Sequence, residues 1–83
     1  TQEEAGGKGK PDPAMYLLAC QRLQIKPAEG IAFEDTSSGV ESAKAAGLYV
    51  VALPNDWTSR QDFSRANRVI HGGWPAFLAD PRI

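Results

Sequence analysis

The chain has 83 residues, which is one domain at most, and a domain of this size buries only about 60% of the surface that its unfolded chain exposes. Nine Lys plus Arg against ten Asp plus Glu give a formal net charge of −1, so neither a nucleic acid nor an anionic membrane is favoured as a partner. A single cysteine excludes an internal disulfide and favours the cytoplasm, and no apolar run approaches the ~20 residues of a spanning helix, so we expect a soluble chain.

The first predicted elements are a helix and a strand. Residues 1–9 are polar and Gly-rich, which predicts a flexible arm. Asp12 before Pro13 is typical of a helix start, and the apolar spacing that follows predicts a helix over residues 13–24. Residues 31–33 are short and continuously apolar, as in a strand that is covered on both faces.

A second helix and strand follow at once. Ser38 and Glu41 have the spacing of a capping box, which predicts a helix over residues 38–46. Gly47 suits the left-handed position after its end. The β-branched and aromatic run over residues 48–53 predicts the next strand, and the connecting helix favours a parallel crossover.

The C-terminal part of the sequence carries weaker signals. We predict a short helix over residues 59–66, where Ser59 and Asp62 repeat the capping spacing. Residues 68–70 predict a brief third strand, and residues 75–78 one closing helical turn. Residues 10–83 therefore form one α/β unit of about three parallel strands with flanking helices.

An adjacent pair of carboxylates, Glu34 and Asp35, follows the first strand. The carboxyl ends of strands are where open α/β sheets bind ligands. Taken alone, the pair has a second interpretation as a solvated strand end that favours the next helix N-terminus. Lys10 alone would be an ordinary surface charge, and Thr36 and Ser38 are most simply turn and cap residues.

Two motifs in the expected order resemble the haloacid dehalogenase superfamily, in its phosphatase and β-phosphoglucomutase-like branch. They are the superfamily's third and fourth motifs, represented here by Gly9-Lys10-Pro11-Asp12-Pro13 and by Phe33-Glu34-Asp35-Thr36-Ser37-Ser38-Gly39. The resemblance covers about residues 8–70. It implies a partial Rossmann-like core of three layers, the C-terminal half of the catalytic domain.

The resemblance also implies roles for individual residues. Lys10 would offset the charge of the nucleophile and the phosphate, and Asp35 would hold Mg²⁺ with support from Glu34, directly or through water. Thr36 and Ser38 would lie around this metal site. Phosphoryl transfer gathers several negative oxygens, which a cation and a lysine neutralise. The family's nucleophilic and acid-base Asp residues have no counterpart in this chain.

We therefore expect part of an Mg²⁺-dependent phosphohydrolase or phosphomutase that acts on a small phosphorylated metabolite. The chain alone should be inactive, because it lacks the nucleophile. The alternative is a non-catalytic remnant or interaction module that uses an open sheet edge. On either interpretation the strand at residues 31–33 would lack one neighbour, so a homodimer or other association through it is expected.

Overall fold

A computed structural model describes residues 12–81 of the chain, which form three α-helices, one 3₁₀ turn and three strands. In chain order these elements are α1 (Ala14–Leu23), a 3₁₀ turn (Pro27–Glu29), β1 (Ile31–Glu34), α2 (Ser37–Ala46), β2 (Tyr49–Ala52), β3 (Arg68–Val69) and α3 (Gly73–Ala79). No helix within this range is long and apolar enough to cross a membrane. The arm predicted for residues 1–9 lies outside the described residues.

The three strands form one parallel sheet in the order β1-β2-β3. The register pairs Phe33 with Val51, and Ala52 with Val69. Val50 and Val51 are fully buried at the centre, as a continuous apolar run in a central parallel strand should be. The predicted parallel α/β sheet is confirmed.

Helices cover both faces of this sheet. Neighbouring residues of a strand point to opposite faces, and Ala32 joins a buried cluster with Val40 and Ala43 of α2. Phe33 points the other way, and its ring lies 5.3 Å from the Trp74 ring and 5.2 Å from the Phe77 ring of α3, measured between centroids. The predicted three-layer arrangement is therefore confirmed, with α2 on one face and α3 on the other.

Helix α1 begins close to the predicted position. Its N-cap residue is Pro13, and the Asp12 carboxylate still accepts a hydrogen bond of 2.9 Å from the Ala14 N–H. Cys20 is the one buried residue of this helix, whereas Leu23 is 68% exposed. The helix was predicted correctly, but much of its apolar surface is uncovered by the described residues.

Helix α2 begins one residue earlier than its capping pattern predicted. Thr36 is the N-cap, with extended backbone angles and a side-chain oxygen that accepts a 3.0 Å hydrogen bond from the Gly39 N–H. Ser38 lies inside the first turn, so the capping box predicted for Ser38 and Glu41 is wrong. Both Thr36 and Ser38 are good caps, and Thr36 is the nearer of the two to the end of β1, with only Asp35 between. Gly47 ends the helix with φ of 100°, as predicted.

The helix predicted over residues 59–66 is absent from the structure, which has turns there. The Asp62 carboxylate accepts a hydrogen bond of 2.9 Å from the Ser64 N–H, two residues ahead. Gln61 is used elsewhere, since its amide oxygen accepts a 2.7 Å hydrogen bond from the Ser37 N–H at the start of α2. The local bond of Asp62 competes with helix formation, and the bond of Gln61 commits that side chain to a distant partner. Together they prevail over the capping spacing.

Candidate functional site

The candidate site lies where β1 and β2 end. Glu34 and Asp35 follow the apolar residues of β1, while Asn55 follows β2 and the buried Leu53 and Pro54. The Leu53 N–H donates a 2.8 Å hydrogen bond to the Glu34 carbonyl, which joins the two strand ends. Because parallel strands end at the same edge of the sheet, the acidic pair and Asn55 share that edge.

Glu34 turns toward the layer of α1 and α2. Its carboxylate accepts a hydrogen bond from the Tyr16 hydroxyl of α1, and it covers Gly39 so closely that a Cβ there would lie 2.6 Å from Glu34 Cδ. Burial, and then the neighbouring Asp35 carboxylate, raise the pKa of Glu34 above its ordinary value of 4.5. Glu34 therefore connects β1 to both helices of this layer.

Asp35 is exposed, whereas Glu34 is half-buried and lines only the smaller of the two cavities that Asp35 reaches. Asp35 lines two neighbouring cavities, of about 440 Å³ and about 210 Å³, on the side of α3. Trp74 borders both cavities, and the larger one also contains His71 and Ser59. An exposed carboxylate beside a cavity retains oxygen atoms that a ligand can reach.

Asn55 is the neighbour that bonds to Asp35. Its side-chain nitrogen Nδ2 donates to Asp35 Oδ2 over 3.2 Å. Its oxygen Oδ1 accepts from the Trp57 N–H at 2.7 Å, and from the Thr58 N–H at 3.0 Å. The loop after β2 is thus folded around the Asn55 side chain.

The predicted site residues are brought together only in part. Glu34 and Asp35 lie at the carboxyl end of the sheet as predicted. Thr36 and Glu34 both lie beside Gly39, while Ser38 is exposed on the first turn of α2. Lys10 lies outside the described residues. The roles assigned to all five residues stay predictions.

Sequence reasoning missed two residues of the site. Tyr16 belongs to the apolar spacing that predicts the first helix, and that spacing does not indicate that its hydroxyl bonds to Glu34. Asn55 follows the run that predicts the second strand, and no role at the site was predicted for it. Its position at the carboxyl end of the strand next to β1 is the signal that could have identified it.

The donor set of this edge fits a hard divalent cation. Mg²⁺ prefers oxygen ligands, keeps several waters and is usually bound through one or two carboxylates plus substrate phosphates. Asp35 supplies an exposed carboxylate, and Glu34 is its immediate neighbour. Within residues 12–81 no group of three or more His, Cys, Asp or Glu residues is placed to hold a metal. These residues therefore match part of an Mg²⁺ site.

A family model and several known proteins match this chain. A family model described as haloacid dehalogenase-like hydrolase matches residues 1–47. Protein CbbY of Rhodobacter capsulatus is 50% identical over 58 residues, which cover 70% of this chain and 26% of the relative. The phosphorylated carbohydrates phosphatase of Thermotoga maritima is 55% identical over 40 residues, covering 48% of this chain and 18% of that protein.

A solved structure agrees with these matches. The crystal structure of CbbY from Rhodobacter sphaeroides, in complex with phosphate, superimposes with a TM-score of 0.69 at 37% identity. The superposition covers 72% of this chain and 27% of that protein, so the chain spans about a quarter of the length of this relative. The family match covers more than half of the chain and agrees with both motifs. The chain belongs to the haloacid dehalogenase-like hydrolase family.

Proposed function

We propose that the chain supplies the lysine and acidic residues of the active site of an Mg²⁺-dependent phosphohydrolase or phosphomutase for a small phosphorylated metabolite. The observation that carries the proposal is the acidic pair at the carboxyl edge of the sheet, with Asp35 open to a cavity. The names of the relatives support the substrate class, since one is a phosphatase of phosphorylated carbohydrates and another was crystallised with phosphate.

Each residue of the proposed site has a separate task. Asp35 would hold the cation through its exposed carboxylate, and Glu34 would support that position from the side of α1 and α2. Lys10 would place a positive charge near the phosphate. The cation, when bound, neutralises phosphate oxygens as charge develops on them. The nucleophilic carboxylate must come from another segment, so this chain alone should not turn over phosphate esters.

A chimera tests the proposal directly. The stretch of Rhodobacter capsulatus CbbY that matches this chain would be replaced by the residues of this chain. The high identity of the two sequences over that stretch favours correct folding. Turnover of p-nitrophenyl phosphate with Mg²⁺ is the readout.

The assigned roles predict different effects for three substitutions in that chimera. Asp35→Asn should lower turnover at least about tenfold, as loss of a metal ligand or its support typically does, and Lys10→Ala should also lower it. Asp62→Asn is the matched control, because Asp62 is exposed and its carboxylate accepts a hydrogen bond from nearby Ser64, away from the sheet edge that holds Asp35. An Asp35→Asn chimera as active as the control would contradict the proposal.

A second candidate function rests on the free edge of β1. Among the described residues this strand pairs with β2 alone. Its first residue, Ile31, is 49% exposed. Unpaired N–H and C=O groups of this kind recruit another strand. The chain would then act as an interaction module, or as a homodimer through residues 31–33, without chemistry of its own. A chimera that folds and shows no turnover would favour this alternative.

A further inference from the structure

We infer that Asn55 is a positioning residue that holds the Asp35 carboxylate in one orientation. The inference concerns the loop after β2, which neither motif of the sequence includes. Its consequence for metal binding rests on the proposed function of Asp35, whereas the orientation itself does not. The contact that carries it is the 3.2 Å hydrogen bond from Asn55 Nδ2 to Asp35 Oδ2.

The orientation of the Asn55 amide is fixed by its other bonds. Oδ1 accepts from two backbone N–H groups, those of Trp57 at 2.7 Å and Thr58 at 3.0 Å. A flipped amide would direct its NH₂ group at those two donors, which cannot accept a hydrogen bond. Nδ2 must therefore face away from the turn, and in that direction it meets Asp35.

Thr58 also accepts a hydrogen bond from Asn55, so the two residues bond to each other in both directions. The Thr58 hydroxyl oxygen accepts from the Asn55 N–H at 3.0 Å and also bonds with Asn55 Oδ1 at 3.2 Å. Thr58 is only 8% exposed, although its neighbours Trp57 and Ser59 face solvent. The buried Thr58 side chain thus anchors the loop, and its hydrogen bonds hold Asn55 in place.

A neutral amide donor suits a carboxylate that must also bind a cation. It restricts the rotation of the Asp35 side chain before any ligand arrives, so less side-chain entropy is lost on binding. It uses Oδ2 and leaves Oδ1 of the same carboxylate without a hydrogen bond to Asn55. Unlike a lysine or an arginine, it adds no positive charge that would repel the cation.

The orientation can be tested without metal. In an isotope-labelled sample of the 83-residue chain, the couplings between the α and β protons of Asp35 report its rotamer. We expect one dominant rotamer in the parent chain and averaged couplings in Asn55→Ser, whose hydroxyl can still accept from the turn but is too short to reach Asp35. Couplings that are the same in Asn55→Ser and in the parent would overturn the inference.

Asn67→Ser is the matched control for this comparison. The Asn67 amide oxygen accepts from the Val50 N–H at 2.8 Å and from Lys44 Nζ at 3.0 Å. The same substitution there should cost stability and leave the Asp35 couplings unchanged. If the Asp35 couplings are averaged in Asn67→Ser as well, general loosening of the fold explains the effect. That result would also overturn the inference.

Binding of Mn²⁺ supplies the second readout. Paramagnetic broadening of the amide signals of residues 34–36 during titration gives an apparent affinity. We expect it to weaken about tenfold in Asn55→Ser and to stay unchanged in Asn67→Ser. An unchanged affinity in Asn55→Ser would contradict the link to metal binding. If Mn²⁺ broadens none of these signals in the parent while the couplings still respond to Asn55→Ser, the proposed metal role fails and the positioning role stands.

Discussion

Replacing Gly39 by alanine should reveal how closely Glu34 is fitted against α2. On backbone grounds alone the change is favourable, because an alanine inside a helix is more stable than a glycine by about 0.5–1 kcal/mol. The added Cβ, however, would lie 2.6 Å from Glu34 Cδ and 3.1 Å from Thr36 Oγ1. Glu34 would have to rotate away, and its hydrogen bond with Tyr16 would be lost.

The balance of these two effects decides whether Gly39→Ala raises or lowers the free energy of unfolding. A hydrogen bond to a charged group contributes about 1.5–3 kcal/mol, and the lower value applies because Glu34 and Tyr16 are only half-buried. We therefore expect Gly39→Ala to lower the free energy of unfolding by about 0.5–1 kcal/mol. In a Glu34→Ala background the clash with Glu34 is gone and only the 3.1 Å approach to Thr36 Oγ1 remains. The same substitution should therefore raise the free energy of unfolding there, by less than the about 0.5–1 kcal/mol of an unobstructed helix position.

Urea unfolding followed by far-ultraviolet circular dichroism measures both effects. The parent, Gly39→Ala, Glu34→Ala and the double variant form a double-mutant cycle. Its coupling energy measures the contact between Glu34 and residue 39. Tyr16→Phe is a useful fifth protein, because without the hydroxyl Gly39→Ala should cost less. If Gly39→Ala stabilises the parent as much as it stabilises Glu34→Ala, Glu34 does not cover Gly39 and the described orientation is wrong.

Four further predictions concern activity, Mg²⁺ affinity, pH dependence and association of the chain. The purified chain should release no more phosphate from p-nitrophenyl phosphate with Mg²⁺ than buffer does, and sustained turnover that Asp35→Ala abolishes would contradict this. Calorimetry should give a Kd for Mg²⁺ of about 1 mM or weaker, since two carboxylates are a partial set; micromolar binding would indicate a further site. Because the pKa of Glu34 is raised, the free energy of unfolding that this group contributes should be fully present below pH 4.5 and lost as the pH rises through the folded pKa, and Glu34→Gln should remove that dependence. Light scattering should detect association through β1, and a monodisperse monomer with strongly protected amides at residues 31–33 would refute it.

The sheet and the place of the acidic pair could be predicted because local patterns determine them. The apolar runs of β1 and β2 are separated by a helix, which leaves a parallel pairing as the simple solution. The acidic pair directly follows the first run, so its position at the carboxyl edge follows from the strand alone. The Gly47 position after α2 is likewise a local requirement for a left-handed backbone.

The parts that sequence reasoning missed depend on contacts between distant residues. The helix predicted over residues 59–66 does not form, and Gln61 instead bonds to the start of α2, 24 positions earlier. Asn55 reaches Asp35 across 20 positions, and Tyr16 reaches Glu34 across 18. The position of Asn55 marks it as a neighbour of the site, but neither hydrogen bond can be inferred from spacing, because only the folded chain brings these residues together.

The two adjacent carboxylates have different surroundings, so we expect them to have different roles. Glu34 is partly desolvated and bonds to Tyr16, whereas Asp35 is exposed and bonds to Asn55. Glu34→Gln keeps an oxygen that can accept from Tyr16 but removes the charge, so it separates structural support from metal binding. In the CbbY chimera we expect Glu34→Gln to retain the stability of the parent and to require more Mg²⁺ for half-maximal turnover, by a smaller factor than Asp35→Asn. An unchanged Mg²⁺ requirement would restrict Glu34 to connecting β1 with α1 and α2, and would leave Asp35 as the ligand that this chain supplies.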